Sequence, residues 1–204
     1  MTVYTDLFDS ITDDVLALTK RPDLADETAI AVRTATLNVH MAEAFPRDAV
    51  TQLVKIPNAS YITQLDAQVL FPRIRGLSTV RITDTDYNPV EFPEIDIVEM
   101  GDLRDPIYKE LKNDIAYLAG TAVNIRTSVP TTGYLVEYFQ LPLIRREQYN
   151  SWIAQLAPDA IVYLAASIVF YTNGNEEKAR AFDSFYQKTL LPGLRANFLT
   201  TAQR

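Results

Sequence analysis

Apolar residues recur at helical spacing near both ends of the chain and alternate with polar ones through its middle. Leu7, Ile11, Val15 and Leu18 fall on one stripe. A first helix is therefore expected from about Thr5, its N-cap, to Lys20, with Asp6 in the first turn. Arg21-Pro22-Asp23 ends it, because the residue before a proline avoids helical angles. A second helix is expected from Asp23 or Asp26 to Phe45, where Pro46 stops it. Ile30, Thr34, Leu37, Met41 and Phe45 share one face of this helix and form its expected apolar stripe. Ala29, Ala31, Ala35, Ala42 and Ala44 permit close approach by a neighbouring helix.

From Val50 the period shortens to two. Gln52–Ile56 and Tyr61–Leu65 read as strands separated by Pro57-Asn58, and Thr79–Thr83 reads as a third. A polar turn follows through Asp86-Tyr87-Asn88-Pro89, and Pro93 makes the segment around Phe92 an edge or a loop. Leu103–Leu111 reads as a short helix, capped by Asp105 with Pro106 at its first position. Ala116–Leu118 and Ala122–Arg126 flank Gly120-Thr121, a tight hairpin, and Tyr134–Leu141 is the last strand before Pro142. Helical spacing then returns. A short helix is expected over Gln148–Leu156, and another begins at Pro158 and ends at Asn173-Gly174-Asn175. Ile161, Leu164, Ala165 and Ile168 form its inward face. A final helix runs over Glu176–Leu191 with Ala179, Phe182, Tyr186 and Leu190 as its stripe. Pro192-Gly193 kinks or ends it, leaving Leu194–Arg204 as an amphipathic tail. The expected architecture is α+β: a helical bundle body from residues 1–48 and 146–204, with an inserted antiparallel β-rich domain over 49–145.

Composition narrows the chemistry. The chain has 204 residues, no Cys and one His, His40. Disulfides, Cys-ligated zinc, a thiol nucleophile and a His-rich metal centre are therefore excluded. The net charge is −7 with the two signs interspersed, and no basic arm suits a phosphate backbone. Direct nucleic-acid binding is thereby disfavoured, and a ring whose acidic lumen lets DNA slide past is not excluded. The first residues lack a basic start and apolar run, and no apolar stretch matches a bilayer. The expectation is a soluble protein made in a reducing cytoplasm.

Four constellations bear on chemistry. Asp84-Thr85-Asp86-Tyr87-Asn88 opens like a calcium loop, but Pro89 stands where the turn needs Gly and Ile95 where a bidentate Glu belongs. A solvated turn is the expectation. His40 lies beside the Leu37 and Met41 stripe with no nucleophile near it in sequence, so a structural or interfacial role is expected. Asp13-Asp14, Glu94 with Asp96, and Asp102 with Asp105 are carboxylate pairs of the kind a glycosidase requires across a cleft, and in an acidic chain they read as solvated faces. The six glycines form no phosphate-cradling loop or nucleophile elbow. Tyr61, Tyr87, Tyr117, Tyr134 and Tyr138 crowd the strand-rich middle, as sheet packing or as interface anchors. No catalytic, cofactor-binding or metal-binding residue is assigned.

Several stretches resemble a family of tailed-bacteriophage virion proteins. They are Leu18-Thr-Lys-Arg-Pro-Asp-Leu24, Glu27-Thr-Ala-Ile-Ala-Val-Arg-Thr-Ala-Thr-Leu37, Phe45-Pro-Arg-Asp48, Ser151-Trp-Ile153, the Pro158 helix start and Ala165-Ala-Ser-Ile-Val-Phe170. The likeness spans most of the chain and is weakest from Asp84 to Pro106. Members of this family look like head-to-tail adaptors, the connector or tail-tube proteins of short-tailed phages. The resemblance implies a homo-oligomeric ring of twelve subunits beneath the portal protein at the head–tail junction of the virion, assembled in the host cytoplasm. DNA would pass through its lumen without specific binding, and the strand-rich insert would face neighbours or the tail nozzle. It implies no enzyme activity, no cofactor and no membrane. The C-terminal tail would reach the portal, with Arg195, Phe198 and Leu199 as candidate anchors. Two other readings stay open from the residues: a carboxylate-dependent hydrolase of cell-wall sugars, and a module binding a host protein.

Overall fold

The computed structural model describes residues 3–99 and 113–199 and shows an α+β protein. The chain divides into two compact units, Met1–Arg47 with Leu141–Arg204, and Asp48–Gln140. The expected borders at 48/49 and 145/146 lie within a few residues of these. The expected helix over Leu103–Leu111, and with it the Asp102 and Asp105 pair, lies outside the described residues.

The first unit is helical. Helix α1 (Val3–Thr19) buries Ile11 and Val15 of the stripe its spacing predicts, holds Leu7 and Leu18 half-buried, and adds the Phe8 ring to the core. Helix α2 (Ala25–Ala42) follows a single 3-10 turn at Pro22–Leu24. After α4 (Trp152–Leu156) comes α5 (Pro158–Thr172), which begins with proline at its first turn, where the missing N–H leaves nothing unsatisfied. Helix α5 is apolar nearly all round and accordingly central, with Ile161, Val162, Leu164, Ala165, Ala166, Val169 and Phe170 all buried. Helices α1 and α2 pack on it, as does α6 (Glu176–Phe185). The α5–α6 turn needs Gly174 at φ +73°, the left-handed position that closes a helix, and Asn175 then caps α6 through Lys178 N–H at 3.3 Å.

Two features of this unit differ from the sequence expectation. Helix α2 ends at Ala42, so Phe45 is buried from outside the helix. More important, α2 is turned the other way round. Its buried face is Thr28, Ala31, Val32, Ala35, Thr36, Val39 and His40, whereas Ile30 is 60% and Met41 55% exposed. Small and β-branched side chains on this face let α2 approach α5 closely, so close helix packing favours it over the face with the larger side chains. Near Pro192 the chain takes the first of the two expected outcomes, a kink and not a stop. Helix α6 does not stop at Pro192 but passes through a π turn at Tyr186–Leu190 into α7 (Leu191–Phe198). Proline at 192 has no N–H to donate and crowds the carbonyl four residues back, and the wider turn just before it accommodates both.

The second unit is built around β5 (Ala122–Gln140). Strand β1 (Ala49–Asp66) pairs with it antiparallel along its whole length. On its other side β5 pairs with β2 (Ile74–Ile82) through its C-terminal half and with β4 (Ile115–Ala119) through its N-terminal half. The two-residue β3 (Asp96–Ile97) runs parallel to β4, so the sheet is mixed and not wholly antiparallel as expected. A short helix α3 (Ala67–Leu70), capped by Asp66, leads from β1 towards β2. The segments read as separate strands around Pro57 are one strand, and so are those around Pro130. In both, proline sits where the pairing register breaks, between Lys55 and Ile62 on β1 and between Arg126 and Gly133 on β5. The breaks reverse the phase of burial. Val54 faces the core before the break in β1, and Thr63 and Leu65 after it. Val123 and Ile125 face it before the break in β5, and Tyr134, Val136 and Tyr138 after it. The core closes on Phe71, whose ring meets Tyr138 edge-on at 5.2 Å. Among the described residues no helix is long and apolar enough to cross a membrane.

Candidate interaction site

The C-terminal candidates gather on α7. The Arg195 Nε donates to Glu43 Oε1 at 2.6 Å, and a second guanidinium nitrogen meets the same oxygen. The Phe198 ring lies 4.9 Å from Trp152, edge to face, and Leu199 packs half-buried against the helical core. Trp152 is the hub of this corner. It also meets Phe45 at 5.4 Å and His40 at 5.7 Å, and the Arg47 guanidinium lies 5.7 Å from both the Trp152 and Phe198 rings. The three candidates are thus brought together, and within the chain each has a partner on the helical body. Burial pushes the Tyr186 hydroxyl, at the start of the π turn, up to about 12, and Asp183 adds to the rise.

Beneath this corner lies a polar network that spacing alone does not reveal. His40 Nε2 is 2.9 Å from Ser151 Oγ, and that oxygen also accepts the Ala154 N–H at 3.1 Å as the cap of α4. Nearby, Thr36 donates to the Val32 carbonyl at 2.7 Å and sits 2.7 Å from the Tyr149 hydroxyl. Burial pushes that hydroxyl up to about 12, with the Thr36 and Ser151 hydroxyls opposing part of the rise. A Ser–His contact in an accessible cleft would suggest nucleophilic catalysis. Here Ser151 and His40 are 0% and 1% exposed, and the serine is occupied as a cap, so the pair joins α2 to α4. Only folding brings residues 40 and 151 together, which is why no partner for His40 is visible in its sequence neighbourhood.

The carboxylate pairs fall on surfaces. Asp13 and Asp14 are exposed on α1, and Glu94 and Asp96 are exposed around β3. Glu94 borders a groove of about 590 Å³ lined by Val80, Pro89, Phe92, Pro93, Ile95 and Ile97. Among the described residues no three His, Asp or Glu side chains converge as a metal ion requires. The Asp84 turn uses its carboxylate internally, accepting from the N–H groups of Asn88 at 2.8 Å and Asp86 at 2.9 Å. Those bonds, the Asn88 amide first, hold the Asp84 carboxyl below the usual carboxylate range.

The remaining outward features are apolar. In the helical unit Ile30, Met41, Leu156, Tyr171 and Phe185 are exposed. In the strand unit Leu53, Tyr61 and Ile62 are exposed on β1, the strand at the edge of the sheet. Of the five tyrosines singled out in the sequence, Tyr134 and Tyr138 are core, Tyr87 and Tyr117 are half-buried, and Tyr61 is exposed. A row of rings lines the α5–α6 hairpin: Tyr163 lies 5.6 Å from Phe182 and 4.8 Å from Phe185, and Phe170 lies 5.3 Å from Phe182. Lone exposed apolar residues are ordinary, but rows of them on adjoining turns mark contact surfaces. No family model matches the chain, and no curated protein matches it.

Proposed function

We propose that this chain is a virion structural protein, a non-enzymatic head-to-tail adaptor that forms a ring under the portal, extends the DNA channel and docks the tail. The observation that carries the reading is the helical body itself. It is made from both ends of the chain and turns large apolar side chains of α2, α5 and α6 outward. A body that must pack side by side with copies of itself needs such surfaces, and an isolated soluble domain gains nothing from them. The motif resemblance at residues 18–48 and 151–170 supports the same reading. The acidic balance of −7 suits a channel along which DNA slides without being held. The hydrolase reading has no comparable support, since the paired carboxylates among the described residues lie on exposed surface. Negative-stain imaging of the protein mixed with purified portal rings tests the proposal. Added density beneath the portal, symmetric with it, is the expected result. A chain that stays monomeric both alone and with the portal would overturn it.

A further inference from the structure

The inverted α2 leaves a stripe that nothing in the described chain covers. Ile30, Leu37 and Met41 recur at i, i+7 and i+11 on one face, with Ile30 and Met41 more than half exposed. That is the anchor spacing of a helix laid into a groove. The acidic end of the stripe is the first turn of α2, with Asp26 and Glu27. The helical unit also holds a surface of the opposite character. Along the α5–α6 hairpin the rings of Phe170, Phe182, Tyr163 and Phe185 form a ladder, buried at Phe170, half-buried at Phe182 and Tyr163 and 42% exposed at Phe185. Cations bracket it. Lys178 lies 5.2 Å over the Phe170 ring, and Lys188 is exposed just beyond Phe185.

We propose that the α2 stripe of one copy docks antiparallel on the aromatic ladder of the α5–α6 hairpin of a second copy. The inference rests on the adaptor reading and names the contact that would close its ring. Three observations favour this occupant. The spans agree in one register: Ile30 to Leu37 and Phe185 back to Lys178 each rise ~10 Å at ~1.5 Å per residue, which leaves Met41 beside the α5–α6 turn. The chemistry agrees, because a thioether and branched aliphatic chains pack well on ring faces and edges. The charges favour the antiparallel sense, which sets Asp26 and Glu27 beside Lys188 and Ile30 beside Phe185, whereas the parallel sense sets those acids against Glu176 and Glu177 in the first turn of α6. A stripe-to-stripe contact between two α2 helices matches those acids poorly, since the α2 guanidinium, Arg33, already lies 5.6 Å over the Phe8 ring. The two surfaces are different and belong to helices that pack on α5 rather than on each other. Each copy therefore offers one surface to each of two neighbours, a heterologous contact that closes into a ring when the rotation permits.

The chain has no cysteine, so introduced thiols report the contact without background. Ile30→Cys and Phe185→Cys are made as separate full-length variants, both at exposed positions. They are mixed, allowed to assemble alone and on portal rings, oxidised mildly, and the joined peptides are identified by mass spectrometry. The expected product is the mixed disulfide between positions 30 and 185, at least tenfold over either self-link. Met41→Cys mixed with Phe185→Cys should give no such excess, because antiparallel docking sets those positions at opposite ends. A dominant Ile30→Cys self-link, or a dominant link from position 41 to 185, overturns the proposal. Rings seen by imaging with no mixed link overturn this contact and leave the adaptor reading standing. The absence of any assembly, alone or on the portal, overturns both. As a second arm, Lys188→Glu should weaken assembly and Glu27→Lys in the same chain should restore it. A loss that the paired reversal does not restore counts against the contact.

Discussion

Tyr149 and Thr36 test the polar interior of the helical body, because the direction of their hydrogen bond is forced. Thr36 has one hydroxyl hydrogen and donates it to the Val32 carbonyl at 2.7 Å. The Tyr149 hydroxyl, 2.7 Å from Thr36 Oγ1, is therefore the donor to Thr36. Both residues are 0% exposed, so water cannot substitute for a lost partner. Tyr149→Phe removes the donor and leaves Thr36 bonded to Val32. The expected loss is ~1 kcal/mol, the usual net worth of a hydrogen bond. Thr36→Val leaves the buried Tyr149 hydroxyl with Ser151 alone as a side-chain partner, and the added desolvation brings the loss to about 2 kcal/mol. The double replacement removes both groups, so its cost should fall short of the sum by ~1 kcal/mol. Trp152 is the only tryptophan and packs against this core, so its fluorescence reports the unfolding of the helical unit. With an m-value of ~2 kcal/mol per molar urea, the midpoint falls by ~0.5 M for Tyr149→Phe and ~1 M for Thr36→Val. Equal midpoints for the two single variants, or a strictly additive double, would refute the assigned direction.

Alkaline titration should expose the same tyrosine. Its hydroxyl is pushed up to about 12 in the folded chain against about 10 when unfolded, so the unfolded chain releases its proton first. Stability from this group is intact below pH ~10 and falls between pH ~10 and ~12 by about 2–3 kcal/mol, and Tyr149→Phe should flatten that part of a denaturation-versus-pH curve. Ser151→Ala removes both the α4 cap and the partner of His40, and should lower the urea midpoint by the equivalent of about 2 kcal/mol. A loss below ~0.5 kcal/mol would mean the contact is idle. In the strand unit Gly133→Ala would set a Cβ 2.4 Å from Thr83 Oγ1 and 3.1 Å from the Tyr87 ring, whereas a Cβ at Gly76 meets nothing within 4 Å. Thermal melts should show Gly133→Ala destabilised by about 1–3 kcal/mol and Gly76→Ala within ~0.5 kcal/mol of the parent.

The hydrophobic pattern located the helical ends and the strand-rich middle because period and punctuation are local properties. Val15, Pro158 and the Gly120-Thr121 hairpin each carry their signal within a few residues. Register is not local. Pro57 and Pro130 look like strand ends, since a proline cannot donate to a ladder, yet each sits in a bulge inside a strand of 18 or 19 residues. The compensating break lies on the partner strand, distant in sequence. The parallel β3–β4 pair is equally invisible, because two residues carry no period. The Pro192 kink was legible from its chemistry. Its form, a π turn that lets the helix continue into α7 and sets Arg195 and Phe198 against Glu43 and Trp152, depends on tertiary contacts.

Helix α2 shows where a hydrophobic pattern ceases to specify an inward face. Its larger side chains, Ile30, Leu37 and Met41, and its small or β-branched ones, Ala31, Ala35, Thr36 and Val39, define two stripes roughly opposed on one cylinder. Burying the large stripe would gain ~1.5–3 kcal/mol for each large side chain. Burying the small one gains less area for each residue but brings α2 close onto α5 and places Thr36 and His40 against Tyr149 and Ser151. Turning α2 to bury the large stripe would strand those polar groups, and an unmet buried partner costs ~1–3 kcal/mol. Two such losses, together with helices forced apart by larger side chains, offset the extra apolar area. Close packing on α5 and the polar partners Tyr149 and Ser151 together therefore decide the orientation, and the large stripe is left outward for a neighbouring surface to cover.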